Sequence, residues 1–410
     1  MEMNYKSIEN KIFIIPDNSI PITYVSVVFL LGNYMESLNN MGINNLCLKT
    51  LIRAPKTMKF ESFQYYLEKN SVSLSSSGGN FSSAISVSFP SYNYKNAIYA
   101  LKEVIFNYGL RQQDIDEVKR DLINSIKLSK DDVWTYLYEN ADKVFYNSFL
   151  SWDTRGTFKT INSISRYNLI KWVEEKIFDK NVKKIMVISG YVSENMENFV
   201  YKNFGKFLTT EHFYYDKMKD FDVINVRKTE KLNKKEAGIA LLYPAPSLSL
   251  TSVKFKLLNG ILSSMSGRLF INIREKKELA YAITSSYDPV PLLHDDGKNK
   301  YYGNIKILML TSKDKKKNAI EALKQEIEKI VEEGFKEDEL EVAKNYLIGL
   351  FSSSLQKRIF KSSLLAKLKL FDIPDEYLFN HLDIIKNTTL DEVNELRKVF
   401  NTKESMFVVD

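Results

Sequence analysis

The chain has 410 residues, 44% of them hydrophobic and 27% charged, with a formal net charge of +7. Such a length suits two domains of about 200 residues better than one core, and the composition excludes wholesale disorder. Cys47 is the only cysteine, which excludes an intrachain disulfide and fits a reducing compartment.

The N-terminal stretch MEMNYKSIEN has no basic start followed by an apolar run, so no signal peptide is expected. The most apolar run, Tyr24 to Leu31, falls far short of the roughly 20 residues that span a bilayer. A soluble cytoplasmic protein with no membrane attachment is the expectation. Lysine runs at Lys231 to Lys235 and Lys313 to Lys317 lack regular aromatic interleaving and read as solvated faces rather than a nucleic-acid surface.

Strand-like segments at Tyr24 to Leu31 and Ala84 to Phe89 precede a helical pattern at Lys95 to Ile105, KNAIYALKEVI. Ala97, Ile98, Leu101 and Ile105 fall on one face. In the second half, Ala240 to Tyr243 and Ile305 to Leu310 precede Lys317 to Ile327, KNAIEALKQEI, with Ile320, Leu323, Ile327 and Ile330 on one face. The likeness continues downstream, where Gly109 to Asp116 (GLRQQDID) answers Gly334 to Glu341 (GFKEDELE), and Lys119 and Leu122 answer Lys344 and Leu347. Gly109 and Gly334 each fit a left-handed helix stop. A repeat of half the chain predicts two homologous α+β domains, residues 1–215 and 216–410, each with helices packed on one face of a sheet. The join is expected within Thr209 to Val226, which is polar and charged.

Between the second pair of strands lies Gly267 to Tyr281, GRLFINIREKKELAY. Leu269, Phe270 and Ile273 are spaced for one helix face, and Leu279 to Ile283 reads as a return to strand. Arg274 near the helix end and Tyr281 at the strand start can be brought to one surface by the turn between them. Ser264 to Phe270, Ile273 to Lys276 and Leu279 to Tyr281 together resemble the substrate-clamping segment of the pitrilysin/insulinase family of zinc endopeptidases. That resemblance implies a mainly antiparallel sheet in each domain and a chain forming half of a clamshell. It implies that Arg274 binds a substrate carbonyl and that Tyr281 donates its hydroxyl to the oxyanion of the tetrahedral intermediate.

The same family carries the inverted zinc motif H-x-x-E-H on a helix of its first domain. Gly32 to Glu36 resembles the turn before that helix, and Gly42 to Lys49 resembles its opening. On this placement Asn45 and Lys49 occupy the histidine positions and Leu48 that of the catalytic glutamate. A lysine ammonium has no lone pair for a metal, and leucine cannot move a proton. The chain has three histidines, His212, His294 and His381, none in such a motif. No glutamate lies between Glu117 and Glu139, and Leu122 to Ile126 falls where the third ligand belongs. Cys47 lacks His, Asp or Glu neighbours and reads as a core residue. No metal is therefore expected in this chain.

The resemblance thus implies an inactive subunit of a heterodimeric metalloendopeptidase. A homologous partner carrying H-x-x-E-H would bind zinc and hydrolyse an unfolded peptide, while Arg274 and Tyr281 complete its active site. The alternative is a catalytically inert scaffold or peptide-binding protein of the same fold. A nucleic-acid partner has only net charge behind it.

Overall fold

In the computed structural model of the chain, residues 3–211, 223–291 and 303–410 are described. Two compact units emerge. The first comprises Met1–Ile126, Trp152–Asp220 and Ser354–Ile373, and the second Lys127–Ser151, Phe221–Ser353 and Pro374–Asp410.

The first unit holds strands β1 (Lys6–Ile8), β2 (Ile12–Pro16), β3 (Ile22–Phe29), β4 (Ser73–Gly78), β5 (Ser83–Pro90) and β6 (Lys184–Gly190), in the order β1-β2-β6-β3-β5-β4. Only β2 and β6 run parallel. The second unit holds β7 (Arg227–Glu230), β8 (Glu236–Ala245), β9 (Ala282–Asp288), β10 (Gly303–Ser312) and β11 (Ser405–Val409), in the order β7-β11-β8-β10-β9. Here only β7 and β11 are parallel. Apart from β1, the two sheets have one topology. The four strand-like stretches of the sequence fall in β3, β5, β8 and β10, where β-branched and aromatic residues pack on a pleated surface.

Up to Leu370 the α-helices among the described residues are, in chain order, α1 (Ile43–Leu51), α2 (Phe60–Lys69), α3 (Tyr94–Phe106), α4 (Gln112–Ser129), α5 (Val133–Asn140), α6 (Phe158–Ser163), α7 (Arg166–Trp172), α8 (Glu194–Phe204), α9 (Leu250–Ser263), α10 (Lys316–Glu333), α11 (Glu337–Ser354) and α12 (Arg358–Leu370). The repeated sequence motif forms α3 and α10. Ala97, Ile98, Leu101 and Ile105 are all fully buried, as are Leu323 and Ile330, because the 3.6-residue period keeps them on the sheet side. The predicted glycine stops behave differently from each other. Gly334 adopts φ 73°, ψ −166°, a region open essentially to glycine alone. After α3 the positive φ falls on Leu110, at 43°. Gly109 answers to a close approach instead: a Cβ there would meet the Ala54 carbonyl oxygen at 2.7 Å.

Each sheet also receives a helix from the other repeat. The helix α12 packs on β6 and β3 in the first unit, and α5 packs on β8, β10 and β11 in the second. Every residue of β6 is buried, so the middle of that sheet is covered from both sides. The segment 212–222, which contains most of the expected join, lies outside the described residues.

Candidate functional site

The clamp segment sits in the second unit. It opens with the Gly267 N–H donating to the Ser264 carbonyl at 2.7 Å and continues into a widened helical turn, Phe270–Glu275. Leu269 and Ile273 are fully buried and fix its inner face. Arg268 donates to both carboxylate oxygens of Glu339, at 2.5 and 3.1 Å, and to the Gly334 carbonyl at 2.7 Å. Asn272 donates to Glu326 at 2.8 Å. Buried apolar groups and charge-assisted bonds therefore hold this short helix on α10 and α11.

Against that anchorage, Arg274 points outward. It is exposed, with its guanidinium 4.8 Å from the centre of the Phe270 ring. Glu278, at φ 52°, makes the turn, and the Leu279 N–H donates back to the Ile273 carbonyl at 3.1 Å. The Tyr281 N–H donates to the Leu310 carbonyl at 2.8 Å, which fixes its backbone beside β10. Its side chain remains 56% exposed. The strand that follows, β9, pairs among the described residues with β10 alone and stands at the end of the strand order. Strand pairing begins at Ala282, three residues later than the sequence pattern places it.

The positions that the resemblance assigns to a lost metal site lie in the first unit. Asn45 and Lys49 share one face of α1, and Leu122 on α4 joins them around a cavity of about 910 Å³. Leu48 is fully buried, with its Cδ1 3.5 Å from where a Cβ on Gly78 would stand. Zinc needs three or four nitrogen, sulfur or carboxylate donors in a tetrahedral set. Asn45, Leu48, Lys49 and Leu122 do not supply one, and among the described residues no group of three or more His, Cys, Asp or Glu could hold a metal ion. Cys47 is fully buried, and burial pushes its thiol well above the ordinary range. His381 is buried against the ring of Phe351, 4.3 Å between centres, and desolvation lowers its pKa to about 3. His212 and His294 lie outside the described residues.

Sequence reasoning missed two arginines and gave no role to Glu36. Arg53 lines the cavity with its guanidinium over the Phe60 ring at 4.1 Å, paired with Asp114 and Glu117. Arg155 lines it too, bound through two nitrogens to Asp153 and at 3.2 Å to the Ser125 carbonyl. Neither stands in a motif, because their partners are remote or their turn is irregular. Glu36 accepts from the backbone N–H groups of Gly42 at 2.8 Å and Asn44 at 3.0 Å, closing the start of α1. Desolvation raises its pKa to about 7 against the pull of those two donors.

Residues 164–347 match the family model described as the Peptidase M16 inactive domain. The chain is thus similar to inactive members of the pitrilysin-like M16 family. A Helicobacter pylori protein named non-peptidase homolog YmxG is 24% identical over 391 residues, 92% of this chain and 86% of that protein. A Bacillus subtilis protein named uncharacterized zinc protease YmxG is also 24% identical, over 74% of this chain and 69% of its own length. Among solved structures, a peptidase M16 inactive domain from Pseudomonas fluorescens shares the fold with a TM-score of 0.85 at 14% identity, over 100% of this chain and 98% of that one. Among the described residues no helix is long and apolar enough to cross a membrane.

Proposed function

We propose that this M16 homologue is the non-catalytic subunit of a heterodimeric zinc endopeptidase in the cytoplasm. Its partner is a homologous chain that carries H-x-x-E-H, binds zinc and cleaves an unfolded peptide. Arg274 and Tyr281 complete the partner's site: the arginine holds a substrate carbonyl, and the tyrosine hydroxyl meets the oxyanion. The observation that carries this reading is the contrast within one segment. Arg268, Leu269, Asn272 and Ile273 are spent on anchoring, while the Arg274 and Tyr281 side chains face solvent. Among the described residues the outer edge of β9, next to Tyr281, has no partner strand, and it offers backbone groups to an extended substrate.

Reconstitution with an H-x-x-E-H-bearing M16 chain from the same genome tests this. The pair is expected to hydrolyse unfolded peptide, and Tyr281→Phe is expected to lower kcat roughly a hundredfold with the complex intact. An unchanged kcat would remove Tyr281 from the mechanism, and failure of any such chain to copurify would remove the pair. The second reading is an inert peptide-binding protein of the same fold. It draws on the non-peptidase name of the Helicobacter pylori relative and predicts peptide binding without a metal-bearing partner.

A further inference from the structure

The two repeats part company directly after their matching helical motif. In the first unit Ile105 is followed by Phe106, which ends α3 and packs against the rings of Phe204 and Phe207, at 5.5 and 5.0 Å between centres. In the second unit Ile327 is followed by Glu328, and α10 runs on to Glu333. The added turn brings Val331 and Glu332 to a cavity of about 260 Å³, which Ile327, Glu328, Tyr243 and Phe400 also line. An aromatic plug in one repeat is thus an open cavity with an acidic rim in the other.

Tyr243 stands on β8, is 4% exposed, and sets its ring edge-on to Phe400 at 5.0 Å. A buried phenol ordinarily finds a partner, but the Tyr243 hydroxyl makes no hydrogen bond to another described residue. Burial raises its pKa, and the carboxylates of Glu404 and Glu328 raise it further against the opposing pull of Arg227, so a positive charge is favoured beside the hydroxyl. Glu404 already accepts from Arg227 and Lys324, each at 2.7 Å. Glu328 and Glu332 are exposed, and neither carboxylate pairs with a described residue. Like charges four positions apart weaken a helix, a cost that a cation between them removes. A bare metal ion is a poor occupant, because among the described residues no group of three or more His, Cys, Asp or Glu could hold one. The apolar wall of Ile327, Val331 and Phe400 suits an alkyl stem instead.

We propose that this cavity binds the primary ammonium group of an alkyl amine, with the Glu328 carboxylate and the Tyr243 hydroxyl as acceptors and Ile327, Val331 and Phe400 around the stem. Glu332 stands one helical turn further along α10, about 5 to 6 Å from Glu328 between Cβ atoms, and meets a second ammonium. A short diamine or polyamine therefore fits better than a single lysine side chain. The cavity is smaller than the roughly 300 to 1,000 Å³ of drug-sized ligand sites, as so slender a ligand requires. The inference uses neither Arg274 nor Tyr281 and goes beyond the role given to them.

Isothermal titration calorimetry on the purified full chain tests it with putrescine, its neutral isostere butanediol, and N-acetyl-lysine methylamide. Putrescine is expected to bind roughly tenfold or more tightly than butanediol, and Glu328→Gln should weaken it by a similar factor. Tyr243→Phe should weaken it roughly fivefold. Glu328→Phe, which copies Phe106 of the first repeat, should fill the cavity and abolish binding while keeping the wild-type circular dichroism spectrum. Putrescine binding above the lysine derivative supports a free polyamine as the source of the ammonium, and the reverse order supports a lysine side chain. Equal affinity for putrescine and butanediol, no putrescine binding at millimolar concentration, or binding that survives both Glu328 substitutions would each overturn the proposal.

Discussion

A half-buried carboxylate beneath the start of a helix must be compensated, and Glu36 is compensated by the backbone N–H groups of Gly42, just before α1, and of Asn44 within it. The donors favour the ionised form, but desolvation outweighs them and lifts the pKa from 4.5 to about 7. The folded state therefore holds this proton more tightly than the unfolded chain. Stability from the group is fully present below about pH 4.5 and is lost as pH rises through about 7. The size of that loss is on the order of 3 kcal/mol. Glu36→Gln removes the titration but leaves one N–H without its acceptor, costing about 1 kcal/mol at every pH. Urea unfolding at pH 5 and pH 8 should show the wild type losing stability across that interval and the variant lacking this loss. Parallel changes in the two proteins would show that Glu36 does not titrate there.

At the scale of elements, the exchanged helices carry the most information absent from the sequence pattern. The apolar faces of α3 and α10 were legible because a 3.6-residue period marks them, and the strands because β-branched residues cluster. A helix's apolar face does not name the sheet that covers it, so α5 and α12 gave no sign of crossing to the other unit. What directs α12 is polar and specific. Arg358 donates to the carbonyls of Asp17, Ile20 and Ile22 and to the Asp17 carboxylate at 3.0 Å. Lys361 adds a second cation at 2.9 Å from the same carboxylate. The Arg358 hydrogen bond is the main force holding Asp17 well below the usual carboxylate range, with burial opposing it. Arg358→Lys replaces a planar fork by a point charge and should cost about 2 kcal/mol at pH 7. A depressed carboxyl stabilises above its unfolded pKa and loses that contribution as pH falls. The gap between wild type and variant should accordingly shrink below about pH 4, as read by thermal unfolding at pH 7 and pH 3. A gap that stays constant would assign the loss to the carbonyl contacts alone.

The whole molecule is a duplication in which matching strands have matching partners: β2-β6-β3-β5-β4 in one sheet and β7-β11-β8-β10-β9 in the other. The internal repeat made that duplication readable, and the GRLFINIREKKELAY segment carried the resemblance to the pitrilysin/insulinase family. The cavity beside α1 was half readable, since Asn45, Lys49 and Leu122 were placed by resemblance while Arg53 and Arg155 reach it through remote contacts. The exchange has a consequence for folding. In the second unit α5 buries Val133 and Leu137 over Gly238, and in the first α12 buries Leu365 and Leu368 on the sheet. Each fully buried leucine or valine side chain contributes about 1.5 to 3 kcal/mol, so losing a whole helix removes a large part of the 5 to 15 kcal/mol that stabilises a typical domain. A fragment of residues 1–215 lacks α12, and one of residues 216–410 lacks α5. Each expressed alone should be insoluble or bind a hydrophobic dye without a cooperative melt. Coexpressed, the two should copurify as a soluble pair with one unfolding transition. Two fragments that each melt cooperatively in isolation would show that the exchanged helices are ornaments on self-sufficient units rather than parts of their cores.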